Sequence, residues 1–303
     1  MKICLLTTSP NNYSNRRMIF EAEKRGHTIE RVNYLKCYLR VSSDGGSALF
    51  YNGRNLNDYD AVIPRIGASH TFFGTSVVRQ FEIIGTYCLN GSLGISRSRD
   101  KLRSLQTLAR KSISIPSTGS THSTNDVGGL IDTVGGAPLV IKLLEGTQGL
   151  GVVLTKTHKA AESVIQAFSG LKSDILVQDF IGEARGSDIR VFVVGGRVMA
   201  AMMRTAAKGD FRSNVHRGGS AKKIRITKAE EKMAIQSARE LKLSVAGVDI
   251  IRSSKGPMIL EVNSSPGLEG IESSSQVNVA EKIIKYIERK QSSKRKEIKD
   301  VQT

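Results

Sequence analysis

Residues 245–263, VAGVDIIRSSKGPMILEVN, are two apolar runs divided by a short polar turn. A connection this short allows only an antiparallel pair, and the turn then sets the register. Side chains alternate along a strand, so Glu261 and Asn263 share one face while Leu260 and Val262 point into the core. A turn centred on Lys255 sets Asp249 opposite Glu261; a two-residue turn at Lys255-Gly256 would slip the pairing by one. Facing like charges destabilise a sheet, and close carboxylates resist joint ionisation. Two resolutions stay open at this point. A divalent cation could sit between the acids, since hard oxygen ligands suit magnesium or manganese. Alternatively, each acid pairs with a Lys or Arg on a wet sheet face. The abrupt NSSPG after Asn263 favours a site, because strand ends lead into functional loops.

The rest of the 303-residue chain is long enough for two or three domains. Over residues 1–95 strands alternate with helices: KICLLTT, then NRRMIFEAEKRGH ended by Gly26, then YDAVIPRIG stopping at Pro64, then FFGTSVVRQFEIIG. That order predicts a small α/β domain. SRDKLRSLQTLARKSI reads as one amphipathic helix and IPSTGSTHSTNDVGG as a turn-rich link. Strands PLVIKLL, VVLTK and DILVQDFI, with helix KAAESVIQAFSG, place a middle domain at 96–187. A third region, 188–290, carries a hairpin at Gly195-Gly196, a helix with Thr227 and Glu230 at capping-box spacing, the hairpin above and a closing helix. From Arg289 the tail has six basic and two acidic residues, and its composition predicts disorder over 291–303.

The net charge of +17 favours anionic partners. Cys4, Cys37 and Cys88 are scattered without a Cys-x-x-Cys, which points to reduced thiols in a cytoplasmic protein rather than a disulfide frame or zinc site. The opening MKICLLTTSPNN holds an apolar run too short for a signal peptide, and no run approaches a membrane span. Neither a P-loop nor a Gly-x-Gly-x-x-Gly turn occurs. In their place stands VIKLLEGTQGLGVVL. Lys142 lies within an apolar strand, where an unpaired ammonium is costly, and Gly146, Gly149 and Gly151 make a turn whose N–H groups could face phosphates. A mobile surface loop accounts for the glycines equally well. LVQDFI and Asp188 could serve a base and a ribose, or could be solvated strand ends. Arg212, Asn214 and Arg217 in KGDFRSNVHRGG could clamp phosphate or carboxylate, or line a basic surface loop.

Taken jointly, AVIPRIG, RDKLRSLQTLAR, GGAPLVIKLLEGTQGLGVVL, AESVIQAF, GDFRSNVHRGG, VAGVDI and EVNSSPGLEGIE resemble the RimK-type α-L-glutamate ligases of the ATP-grasp superfamily, over about residues 1–290. The resemblance implies an α/β (α+β) ATP-grasp fold, in which an N-terminal domain is followed by two α+β subdomains that sandwich ATP. It implies that Lys101 and Lys142 contact phosphates, that Asp179 and Phe180 receive adenine, and that Asp188 receives the ribose. Arg212, Ser213 and Asn214 would lie at the nucleotide, with Arg212 near the transferred phosphoryl. Asp249, Glu261 and Asn263 would hold two Mg2+ or Mn2+ ions. Arg65 and Arg204 are candidates for carboxylate recognition. Asp179 stands where the family usually has Glu. The implied reaction is ATP-dependent addition of L-glutamate to the C-terminus of a small-subunit ribosomal protein by a homo-oligomer, through an acylphosphate, with no nucleic acid or membrane required. Two rivals remain: an ATP-grasp ligase joining another amino acid to a peptide or small carboxylate, and a non-enzymatic RNA-binding protein suggested by the charge. The second lacks interleaved aromatics and any RNA-recognition signature.

Overall fold

The computed structural model describes residues 1–9, 11–44, 46–144, 151–169, 174–213 and 218–302, with side chains described up to 293. The chain begins with β1 (Lys2–Thr7), buried along its apolar run, and α1 (Tyr13–Lys24), whose N-cap Asn12 accepts the Asn15 N–H. After β2 (Thr28–Val32), a small antiparallel sheet forms from β3 (Cys37–Arg40), β4 (Ala48–Tyr51) and β5 (Arg54–Asn55). β6 (Ala61–Arg65), α2 (Thr71–Ile83) and β7 (Tyr87–Cys88) complete a parallel sheet in the order β2-β1-β6-β7. β6 runs one residue past Pro64. β7 pairs only with Ala61 and Val62, so on that side Pro64 has no ladder bond to forfeit.

The helix expected over SRDKLRSLQTLARKSI is α4 (Lys101–Arg110), and a further helix that the sequence reading did not mark, α3 (Ser92–Arg99), precedes it. Asp100 separates them: its carboxylate accepts the Arg103 N–H at 2.9 Å and caps the second. The break leaves Arg99 and Lys101 on either side of it. Leu108 of α4 belongs to the core of the C-terminal sheet, so this stretch packs there rather than with the middle domain.

The middle region holds β8 (Thr118–Thr121), α5 (Val127–Val134), β9 (Leu139–Leu143), β10 (Val152–Thr155), α6 (His158–Ser169) and β11 (Ile175–Asp179), with an antiparallel sheet ordered β10-β9-β11-β8. The stretch expected as a turn-rich link therefore carries β8 and the start of α5. This region has its own core, Val127, Ile131, Leu139, Ile141, Ile165 and Val177 among it.

The last sheet is ordered β14-β13-β12-β15-β16, from β12 (Ser187–Val194), β13 (Arg197–Thr205), β14 (Ser220–Lys223), β15 (Val245–Ser253) and β16 (Gly256–Asn263). Gly195 and Gly196 have φ of 58° and 74°, the left-handed values a tight hairpin turn requires. One sheet face packs on α7 (Lys228–Glu240), whose Thr227–Glu230 capping box is formed. The other buries Phe192, Ala200 and Met202 against Ile283, Ile284 and Ile287 of α9 (Val279–Gln302), beyond the short α8 (Glu269–Ser275). Ile3, Leu5 and Met18 join the same cluster, so the N-terminal and C-terminal sheets share one core. α9 runs on into the basic tail as far as Gln302. A helix already nucleated by a docked apolar face extends readily through Lys, Arg and Glu. Among the described residues no helix is long and apolar enough to cross a membrane.

Candidate active site

The turn between β15 and β16 consists of Ser254 and Lys255, and it pairs Ser253 with Gly256 and Ile250 with Ile259. Continued unchanged, that register would set Leu260 opposite Asp249. A bulge absorbs one residue there, and Asp249 faces Glu261, with Gly247 facing Asn263. The expected pairing thus arises from a tight turn plus a bulge, not from a turn centred on Lys255. Leu260, as the bulged residue, is half-buried rather than in the core.

The two acids do not face each other alone. Asp249, 2% exposed, accepts Arg190 Nε at 2.6 Å and Nη2 at 2.5 Å, and Arg204 Nη2 approaches it at 2.9 Å. Arg204 in turn donates to Asp188 through Nε (2.7 Å) and Nη2 (2.5 Å), and Ser213 Oγ donates to Asp188 at 2.7 Å. Asp188 lies opposite Arg204, and Arg190 opposite Asp249, so opposite charges face each other across three neighbouring strands, β13, β12 and β15, on one sheet face. Phe192, Ala200 and Met202 occupy the other end of that face. Burial alone would raise the Asp249 pKa, but the Arg190 and Arg204 charges overcome it and hold the carboxyl well below the usual range. Repulsion between Asp249 and Glu261 is therefore relieved by arginine, without needing a cation.

Glu261 differs in kind. Its side chain is 49% exposed, accepts Asn263 Nδ2 at 3.0 Å and lies 3.8 Å from Arg190. A hard divalent ion fits this donor set. Glu261 keeps open lone pairs, Asn263 brings an amide on the same face, and Asp249 accepts two hydrogen bonds from Arg190, with Arg204 at 2.9 Å, of the roughly four its oxygens can take.

The charge of Glu261 acts on both Lys142 and Lys101. Lys142 Nζ donates to Gln178 Oε1 at 2.7 Å, and Gln178 Nε2 donates to Thr118 Oγ1 at 2.9 Å, a relay across β9, β11 and β8. Lys101 Nζ donates to the Leu143 and Leu144 carbonyls at 3.3 and 2.8 Å. Burial lowers both lysine pKa values, and the Glu261 charge opposes that in each case. Two desolvated ammonium groups and an exposed carboxylate whose charge offsets them are groups that a phosphate chain with its cation would need.

The chain matches two family models, the RimK PreATP-grasp domain over residues 1–95 and the RimK-like ATP-grasp domain over residues 98–287. The chain belongs to the RimK-like ATP-grasp family. As a member it is an ATP-grasp ligase. RimK-like relatives include the "Probable alpha-L-glutamate ligase" of Picosynechococcus sp., 57% identical over 95% of this chain and 96% of the relative, and that of Aeromonas salmonicida, 57% identical over 98% and 99%. The fold is shared with the RimK domain protein of Sphaerobacter thermophilus, TM-score 0.72 at 21% identity over 94% and 99% of the two chains. It is shared also with the ATP-grasp ligase PsnB solved with a precursor variant, Mg and ADP, TM-score 0.73 at 17% identity over 96% and 98%.

Several residues expected at the site are bonded within the protein. Arg204 and Asp188, read as substrate and ribose contacts, are buried against each other, because strand pairing sets them opposite and each is the other's nearest counter-charge. Arg212 pairs with Asp210 through Nε at 2.9 Å and Nη2 at 3.0 Å. At the hinge, the Asp179 N–H donates to the Ser117 carbonyl (2.9 Å) and the Phe180 N–H to the Pro138 carbonyl (3.3 Å). The Phe180 ring meets Phe211 edge-on, centroids 6.2 Å apart. Asn214, Arg217, Gly146 and Gly149 lie outside the described residues; Gly151 is described, with φ of 70°.

Sequence reasoning missed Arg190 and the side-chain role of Gln178. The signal for Arg190 was present in SDIRVFVV, where Asp188 and Arg190 fall on one face of a strand otherwise apolar. Asn90 also went unread. It bonds the Ser244 and Val245 N–H groups and the Val245 and Ser264 carbonyls, tying the first domain to the loop after Asn263. Gly247 lets that loop fold back onto the sheet: a Cβ there would stand 2.7 Å from Pro266 Cβ.

Proposed function

We propose that this ATP-grasp ligase adds L-glutamate residues to the C-terminus of a small-subunit ribosomal protein through an acylphosphate. A carboxylate oxygen of the acceptor attacks the γ-phosphorus of ATP, the bond to the bridging oxygen breaks, and ADP leaves. The amine of glutamate then attacks the acyl carbon, the C–O bond to phosphate breaks, and the amine's proton is lost as the amide forms. No side-chain nucleophile is required. Lys101 and Lys142 offset phosphate charge and orient the chain. Asp249, Glu261 and Asn263 would hold Mg2+ or Mn2+, which supplies charge neutralisation on the phosphate oxygens.

The observation that carries this reading is the meeting of desolvated Lys101 and Lys142 with exposed Glu261 beside Asp249. The choice of glutamate is supported by the names of relatives 57% identical over nearly the full chain. The acceptor rests on the family resemblance, and the net charge of +17 suits an acidic, lengthening tail. Mass spectrometry of small-subunit ribosomal proteins incubated with the protein, ATP and glutamate should detect successive glutamyl additions at one C-terminus. ADP release with another amino acid and none with glutamate would overturn the proposal.

Lys142→Met should weaken binding of a non-hydrolysable ATP analogue by roughly ten- to a hundredfold, the 1.5–3 kcal/mol typical of a charged hydrogen bond. Thermal stability should hold or rise, because a desolvated ammonium is removed. Calorimetric titration and a melting curve test both halves.

A further inference from the structure

Arg65 ends β6 and Arg99 ends α3, and neither is paired with a carboxylate among the described residues. Arg65 Nη1 donates to the Pro266 carbonyl at 2.8 Å, and Arg99 Nη2 to the Ile66 carbonyl at 2.6 Å. Arg99 Nε is buried and has no partner. On the loop that Arg65 grips, Ser264 Oγ and Ser265 Oγ are also buried without partners. Burial lowers the pKa of both arginines, and the Arg99 charge adds to the effect on Arg65, which is pushed down to about 10. Two like charges in a low-dielectric niche, satisfied only by carbonyls, are unfavourable for the empty protein. A planar carboxylate accepting from the two guanidinium forks removes that penalty.

Position narrows the anion. Arg65 lies at the carboxyl end of a parallel strand, where ligands bind open α/β sheets. The Glu261 charge acts on Arg99 as it does on Lys101 and Lys142. The arginines, held at the end of β6 on the Ile66 and Pro266 carbonyls, form a second cationic pair with anchors different from those of the lysines, which sit on Leu143, Leu144 and Gln178. The acceptor carboxylate loses its charge when it becomes an acylphosphate. A fixed dication is better matched to a carboxylate that stays ionised throughout.

We propose that Arg65 and Arg99 together hold a carboxylate of the incoming glutamate that is retained in the product. This rests on the function proposed above. Arg99→Gln should raise KM for glutamate at least tenfold at saturating ATP, with KM for ATP within twofold and the melting temperature unchanged or higher. Arg65→Lys, which keeps the charge but not the fork, should raise the same KM in the same direction and gives a second reading if Arg99→Gln folds poorly. L-glutamine and the α-amide of glutamate, compared as substrates of wild type and Arg99→Gln, identify the carboxylate: the variant loses discrimination against the analogue lacking it. Unchanged KM for glutamate in both variants, or equal rises in both KM values, overturns this assignment alone when wild type ligates glutamate. A wild-type protein that ligates none overturns both.

Discussion

Glu261→Gln is expected to reduce glutamate ligation by at least about 10²–10³-fold while leaving thermal unfolding unchanged. The substitution keeps the shape of the side chain and removes its charge. Stability should not move, because the side chain is about half exposed and its distance to Arg190 is 3.8 Å; exposed pairs of this kind contribute little. Function should move, because on the proposed reading Glu261 would be the open hard ligand, and its charge also acts on Lys101, Lys142 and Arg99. The Mn2+ concentration giving half-maximal turnover should rise in any residual activity. Melting curves and ATP-dependent glutamate incorporation on the same preparation test this, and full turnover in the variant would remove Glu261 from the site.

How far the sequence was legible depended on the range of the interaction concerned. The Gly195-Gly196 hairpin and the Thr227–Glu230 capping box were readable because each is settled within a few residues. The Asp249–Glu261 pairing was readable in outcome but not in cause, since the bulge at Leu260 has no marker in the apolar run PMILEV. The start of α4 at Lys101 was readable for the same reason as the capping box, Asp100 being an N-cap residue just before an amphipathic run. α5 defeated propensity: VGGLIDTV carries two glycines, yet Val127, Ile131 and Val134 recur on one face and bury against the middle sheet. β8 is rich in Ser, Thr and Gly and becomes a strand because β11 offers it an edge, with Ser120 Oγ donating to the Ile175 carbonyl. The pairing of Arg190 and Arg204 with Asp249 and Asp188 required knowing that β12 lies between β13 and β15. That order is set by packing between distant segments and has no local signature.

Asp249→Asn is expected to cost about 3–5 kcal/mol of folding stability, in addition to abolishing ligation. The change is isosteric, so the loss is electrostatic. Among the described residues Arg190 would keep only the distant Glu261 as a counter-charge, while Arg204 would retain Asp188. A loss of that size is a large share of the roughly 5–15 kcal/mol by which proteins are stable. It separates the two acids that strand register sets opposite each other: one is built into the sheet, the other is presented to the cleft. A double variant, Asp249→Asn with Arg190→Gln, should recover much of the loss, because it removes the stranded charge, while activity stays absent. Urea unfolding of wild type, single and double variants in EDTA provides the comparison, since chelation keeps metal binding out of the measured stability. If Asp249→Asn unfolds at the wild-type midpoint, the arginines are not bound to Asp249 strongly enough to anchor the strands. Asp249 would then be as open to a metal as Glu261, and the division of labour between the two carboxylates would fall.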